Sequence, residues 1–165
     1  TKFMCGLKRD GHFLGVYKII KVLFELIKPN YALFGKKDFQ QLLLIKYIAK
    51  TYFPDVKIID VDIIRDCNSI ALSSRLTRLS TESVQKAKLI YPELQDMKRK
   101  LLSNSSFDLV KQETINQLQK NNIITEYLEV RSRHTLEESI NDFKNCAIFI
   151  ACDVDGVRLI DNIEI

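Results

Sequence analysis

Glycine and proline are scarce in this chain, 5 and 3 of 165 residues, while 46% of the residues are hydrophobic and 28% charged. Those proportions exclude a collagen-like, low-complexity or disordered polymer and allow one substantial core or two small ones. No apolar run approaches the roughly 18 residues that a membrane-spanning helix needs. No signal peptide is visible either, so a soluble, cytoplasmic protein with no membrane partner is expected. The four cysteines, Cys5, Cys67, Cys146 and Cys152, form no C-x-x-C pair and have no matching histidines at zinc-site spacing nearby. A zinc site is thereby disfavoured; reduced thiols are expected, with Cys146 and Cys152 buried as small apolar side chains. A Walker glycine loop, a G-x-G-x-x-G turn and a Ser-His-Asp order are all missing. The excess of 25 basic over 21 acidic residues gives +4. That suits an anionic ligand but is too small to mark a nucleic-acid surface, and no basic stripe alternates with aromatics. A start methionine is lacking too: Thr1-Lys2-Phe3 runs straight into patterned sequence, as the interior of a longer protein would.

What is present has two characters. Val16, Ile19, Ile20, Leu23, Phe24 and Ile27 fall at helical spacing, and Lys28-Pro29-Asn30 ends that helix. A short strand over 31–34, a helix over 38–52 with Leu42, Leu44, Ile45, Ile48 and Ala49 toward a core, and a strand over 56–61 follow. Helix, strand, helix, strand with short connections is the rhythm of a parallel α/β sheet. Two strands alone do not stabilise such a sheet, so further strands are expected upstream of Thr1. Beyond about residue 63 the pattern changes: a polar loop to Ser80, helices over 81–102 and 106–121, and strands near 124–131, 146–153 and 157–163. Ser80 reads as a helix N-cap, and Asp155-Gly156 as a hairpin turn. The division is therefore 1–63, part of a parallel α/β sheet, and 64–165, a small α+β unit with an antiparallel sheet.

Two stretches carry chemistry. In Phe34-Gly35-Lys36-Lys37-Asp38-Phe39-Gln40-Gln41 a strand meets a glycine expected to permit a tight turn, two lysines and a helix start. A helix N-terminus directs N–H groups and a positive dipole end at an anion, and Lys37 adds a mobile charge. Two lysines there are unfavourable for the dipole unless an anion is bound. Asp38 and Gln41 leave two readings open: a D-x-x-Q variant of the capping box, or a crevice at the carboxyl end of the strand where open α/β sheets bind ligands. The second stretch, Ser73-Ser74-Arg75, offers two hydroxyls and a guanidinium for phosphate oxygens, although hydroxyl-rich loops are commonly just turns. His12 reads as packed and hydrogen-bonded rather than catalytic, and His134 as surface.

Together these residues resemble the pantoate–β-alanine ligase family. Cys5 to Phe13 is similar to that family's C-G-x-x-R-P-G-H-F, Phe34 to Gln41 to F-G-E-K-D-[YF]-Q-Q, and Arg65 to Arg75 to R-x-x-x-G-L-A-x-S-S-R. Tyr127-Leu128-Glu129 is similar to Y-x-E, and Arg158 to Asn162 to R-L-I-D-N. Five motifs in order over nearly the whole chain are specific where any one would be weak. The resemblance implies ATP-dependent condensation of pantoate with β-alanine through a pantoyl-adenylate, with Mg²⁺ assisting, in a cytoplasmic homodimer of the full-length protein.

By position, the resemblance assigns Gly35 and Asp38 to the ribose, Lys37 to the phosphates and Gln41 to pantoate. Ile64 would flank the adenine; Ser73, Ser74 and Arg75 would take the triphosphate, with Leu72 beside them. Four departures stand out: Lys36 for Glu, Ser69 for Gly, Leu76 for Asn and Asp10 for Pro. The family's H-x-G-H motif is absent, so the resemblance implies a C-terminal portion of the ligase, inactive alone: 1–63 the C-terminal part of its Rossmann-like nucleotide-binding domain, and 64–165 its small α+β lid domain. The alternative is a non-catalytic truncated remnant that keeps only dimerisation or protein contacts.

Overall fold

The computed structural model describes residues 4–139 and 143–165, so the Thr1-Lys2-Phe3 opening lies outside the described residues. Two compact units divide the chain, Thr1–Ile63 and Ile64–Ile165.

In the first unit α1 (Cys5–Lys8) and α2 (His12–Ile27) precede β1 (Tyr31–Gly35), α3 (Phe39–Tyr52) and β2 (Lys57–Val61). Helix α2 stops at Lys28, which turns to φ 49° and returns its N–H to the Phe24 carbonyl. Pro29 next in sequence bars a right-handed Lys28, so the exit is local chemistry. Strands β1 and β2 pair in parallel, from Tyr31 opposite Lys57 to Gly35 opposite Val61. The core is Ile20 and Phe24 of α2 against Ile45, Ile48 and Ala49 of α3, with Ala32, Phe34 and Ile58 packed on it. Phe24 meets Phe53 edge-on with ring centroids 5.5 Å apart.

Half of the apolar face expected on α2 is not in this core. Ile19, Leu23 and Ile27 are exposed, and so are Tyr31 and Leu33 on β1. A two-stranded sheet offers one narrow ridge, so only a thin stripe of α2 and alternate β1 residues are covered.

The second unit contains α4 (Thr81–Ala87), α5 (Ile90–Leu102), α6 (Phe107–Lys120), β3 (Ile123–Ser132), β4 (Cys146–Val154) and β5 (Val157–Glu164). The sheet is an antiparallel meander with β4 in the middle. Cys146 through Cys152 are consecutively buried, and the alternate residues Cys146, Ile148, Ile150 and Cys152 share a core with Leu94, Met97 and Leu101 of α5 and Leu118 of α6. Asp155 and Gly156 take φ 51° and 83°, the two-residue primed turn that matches strand twist. Burial pushes the Cys152 thiol up to about 12, which keeps it protonated and inert.

One expected helix is two. The 81–102 segment breaks at Lys88-Leu89 because Pro92 lacks an N–H, and its ring would strike the carbonyl four residues back, that of Lys88. Pro92 is tolerated as the third residue of α5, inside a first turn whose N–H groups have no helical acceptor. Ser80 caps α4 as expected, its Oγ accepting from the Ser83 N–H at 3.2 Å.

Candidate functional site

The first group of site residues lies at the carboxyl ends of β1 and β2. Strand β1 runs through Gly35 in ordinary extended geometry, φ −73° and ψ 135°. The tight turn expected of glycine there is therefore not made. Chain direction changes instead in a 3-10 turn over Lys36–Asp38, before α3 starts at Phe39. A Cβ at Gly35 would meet nothing within 4 Å, so the glycine leaves a bare backbone edge rather than relieving a fold constraint.

Asp38 stands at the N-cap position of α3 yet makes no side-chain capping bond, and the D-x-x-Q capping box is not formed. Its carboxylate is exposed and Gln41 is half-buried on the first helical turn. The Asp38 side chain thus does not close the start of α3, and half-buried Lys37 lies in the turn before it. That is the arrangement in which a helix start holds an anion. Lys36 reaches Asp62 beyond β2, Nζ to Oδ1 2.6 Å. The departure from Glu at this position is met by a complementary charge.

The second group belongs to the other unit, where the segment from Ile64 to Arg78 is built against β5. Leu72 N–H donates to the Ile64 carbonyl at 2.9 Å, closing residues 64–72 into a loop. Inside it the Asp66 carboxylate accepts from the Asn68 and Ile70 amides, both at 2.9 Å. Ile64 and Leu72 are exposed at its mouth. A 3-10 helix over Ser74–Arg78 follows, and the Ser73 Oγ accepts from the Arg75 N–H at 3.0 Å to start it. Ser74 is exposed, and Arg75 Nη1 donates to the Arg158 carbonyl of β5 at 2.9 Å. Leu72, Ser73, Ser74 and Arg75 are thus brought together as one presented edge.

Two departures from the family pattern find physical accounts here. Ser69 sits at φ 63°, the left-handed region that glycine occupies without cost. Leu76, where the family pattern has Asn, packs its side chain on the core of the second unit. Asp10 is simply exposed.

His12 is a packed histidine, as expected: Arg9 Nη1 donates to its Nε2 at 3.0 Å. What sequence reasoning passed over is the pair holding the loop. Arg65 makes two bonds to Asp161 on β5, Nη1 to Oδ2 2.6 Å and Nη2 to Oδ1 2.9 Å. Both residues stood inside the quoted motifs, but 96 residues separate them, and nothing in one sequence couples such positions.

Comparison with known proteins supplies the family. The sequence model described as pantoate-beta-alanine ligase matches residues 1–164. The chain is 36% identical over 164 residues to the pantothenate synthetase of Shewanella baltica, covering 99% of this chain and 58% of that protein. It is 34% identical over 165 residues to the pantothenate synthetase of Acinetobacter baumannii, with 100% and 58% covered. Its fold superposes on the crystal structure of pantothenate synthetase from Thermus thermophilus with TM-score 0.91 at 30% identity, over 99% of this chain and 59% of that one. A pantoate-beta-alanine ligase from Francisella tularensis, complexed with beta-gamma ATP and beta-alanine, gives TM-score 0.75 at 29% identity, over 99% and 54%. The chain thus spans 58% of the length of these curated relatives. On the match over residues 1–164, the chain belongs to the pantoate-beta-alanine ligase family.

Proposed function

We propose that this chain supplies the C-terminal part of an ATP-dependent ligase that joins pantoate to β-alanine through a pantoyl-adenylate, in pantothenate and coenzyme A biosynthesis. The observation that carries it is the start of α3 directly beyond β1: an Asp38 side chain not spent on capping, with Lys37 beside it and Gln41 on the first helical turn. In this reading residues 1–63 belong to the nucleotide-binding domain and 64–165 form the small domain that closes over ATP.

The chemistry needs no side-chain nucleophile. A pantoate carboxylate oxygen attacks the α-phosphorus of ATP, and pyrophosphate leaves with the bonding pair. The β-alanine amine then attacks the acyl carbon, loses a proton, and AMP departs. Positioning and charge stabilisation are what the protein adds. Gly35 and Asp38 hold the ribose, Lys37 meets the developing charge on the phosphates, and Gln41 orients pantoate. Ile64 flanks the adenine beside Leu72. Ser73, Ser74 and Arg75 take the triphosphate. A hydroxyl that accepts one bond keeps its proton to donate, and a guanidinium has five N–H donors. The internal bonds of Ser73 and Arg75 therefore aim these groups without exhausting them.

Among the described residues no three His, Cys, Asp or Glu side chains are grouped to hold a metal ion. Mg²⁺ would accordingly ride on the phosphate oxygens of ATP, whose charge it neutralises. Among the described residues no helix is long and apolar enough to cross a membrane. A cytoplasmic location and a homodimer of the complete ligase are parts of the same proposal. The non-catalytic alternative loses two of its supports, since Lys36 is paired and Leu76 is packed.

The test is pantoate- and ATP-dependent pyrophosphate release, by this chain alone and after mixing with the N-terminal half of a related synthetase. Release is expected only from the mixture. A mixture that associates by gel filtration yet stays silent would overturn the proposal. In the active mixture, Gln41→Ala is expected to raise the KM for pantoate far more than that for ATP. An equal rise in both would return Gln41 to a helix-packing role.

A further inference from the structure

We propose that Arg65 is a positioning residue, whose guanidinium holds loop 66–72 in its strained shape and thereby orders the Ser73–Arg75 edge. Its relevance to catalysis rests on the triphosphate reading of that edge.

Arg65 touches every layer of its unit. Its two terminal nitrogens grip the Asp161 carboxylate of β5 at 2.6 and 2.9 Å. Its guanidinium carbon lies 3.6 Å from the ring centroid of Tyr91, in the first turn of α5. The same Nη1 also donates to the Ser69 carbonyl at 3.1 Å. The backbone of Arg65 bridges antiparallel to Ala71 across the loop. The pair is largely out of water, with side-chain exposures of 17% for Arg65 and 7% for Asp161.

The bond to Ser69 is the telling one. A serine at φ 63° is held against its preference, and the loop has no glycine to absorb the turn. The planar fork that clamps Asp161 also pins the carbonyl of the strained residue. Beyond it Leu72 closes the loop, and Ser73 starts the 3-10 helix. Arg75 is tied separately to β5 through the Arg158 carbonyl. Both ends of the presented edge therefore lean on one strand. A lysine at 65 would keep the charge on Asp161 but lose the fork, the ring stack and the shared bond.

The experiment is site-resolved amide exchange on the chain and its Arg65→Lys, Ser69→Gly and doubly substituted forms. In Arg65→Lys the amides of Ile70, Leu72 and Arg75 are expected to exchange about tenfold faster or more, while those of Ile148 and Ile150 in β4 hold their rates. Ser69→Gly, which removes the strain, is expected to restore most of the loss in the double variant. Equal acceleration of loop and β4, no acceleration, or no rescue by Ser69→Gly would each overturn the proposal. ATP titration of the same proteins in the reconstituted ligase addresses the ligand. Weaker ATP binding by Arg65→Lys, recovered by Ser69→Gly, supports the link to the edge. A wild-type mixture that binds no ATP would sink the triphosphate reading and leave the exchange result, and Arg65's hold on the loop, standing.

Discussion

Asp161→Asn is expected to lower the folding stability of residues 64–165 by about 3–5 kcal/mol. The substitution keeps the shape of the side chain and removes its charge. It leaves the Arg65 guanidinium, mostly enclosed between β5 and Tyr91, without a counter-charge. An uncompensated buried charge is what makes the loss large, since surface pairs contribute only about 0–1 kcal/mol. For a unit near a hundred residues this corresponds to a fall in Tm of about 12 °C or more. Thermal and urea melts followed by far-UV circular dichroism would read it. The cause has its own signature: adding Arg65→Met to Asp161→Asn removes the orphaned charge and is expected to recover part of the loss. A double variant as unstable as the sum of its parts would mean that the ion pair is not the reason.

Lys37→Ala is expected to slow adenylate formation about 10²–10³-fold in the reconstituted ligase, the usual cost of deleting one group that stabilises transition-state charge. Lys37 lies in the short 3-10 turn, half-buried and outside the core formed by Ile20, Phe24, Ile45, Ile48 and Ala49. The melting curve and far-UV spectrum are therefore expected to stay unchanged. Pyrophosphate release under single-turnover conditions isolates the chemical step from β-alanine attack. An unaltered rate there would remove Lys37 from the phosphates. A fall only in the second half-reaction would place it near the amine.

Much of the architecture was legible because it is set by local rules. The helix exit at Lys28-Pro29 and the Asp155-Gly156 turn each depend on a few adjacent residues. The Ser80 cap is equally local. Helix 81–102 reads as continuous because its periodicity outweighs Pro92, whose consequence falls four residues upstream. Gly35 invites a conformational role it does not have, since glycine identity does not reveal φ. The face of α2 was legible as apolar, but its exposure depends on how much sheet it meets.

The capping box between Asp38 and Gln41 does not form, because a 3-10 turn occupies the approach to the helix. Arg65 and Asp161 escape notice as a pair for a different reason. Their contact is a product of the tertiary fold, and neither residue's immediate neighbours announce it.

Strand β5 carries a consequence for timing. Chains are made from the N-terminus at about 5–20 residues per second. Asp161 follows Arg65 by 96 positions, so Arg65 waits about 5–20 s for its partner to be synthesised. Arg75 waits 83 positions for the Arg158 carbonyl. In that interval the Ser73–Arg75 segment has no strand to rest on, and the left-handed Ser69 is held only by the bonds within its own loop. On the ribosome this segment is therefore born without its long-range supports, which arrive only with β5.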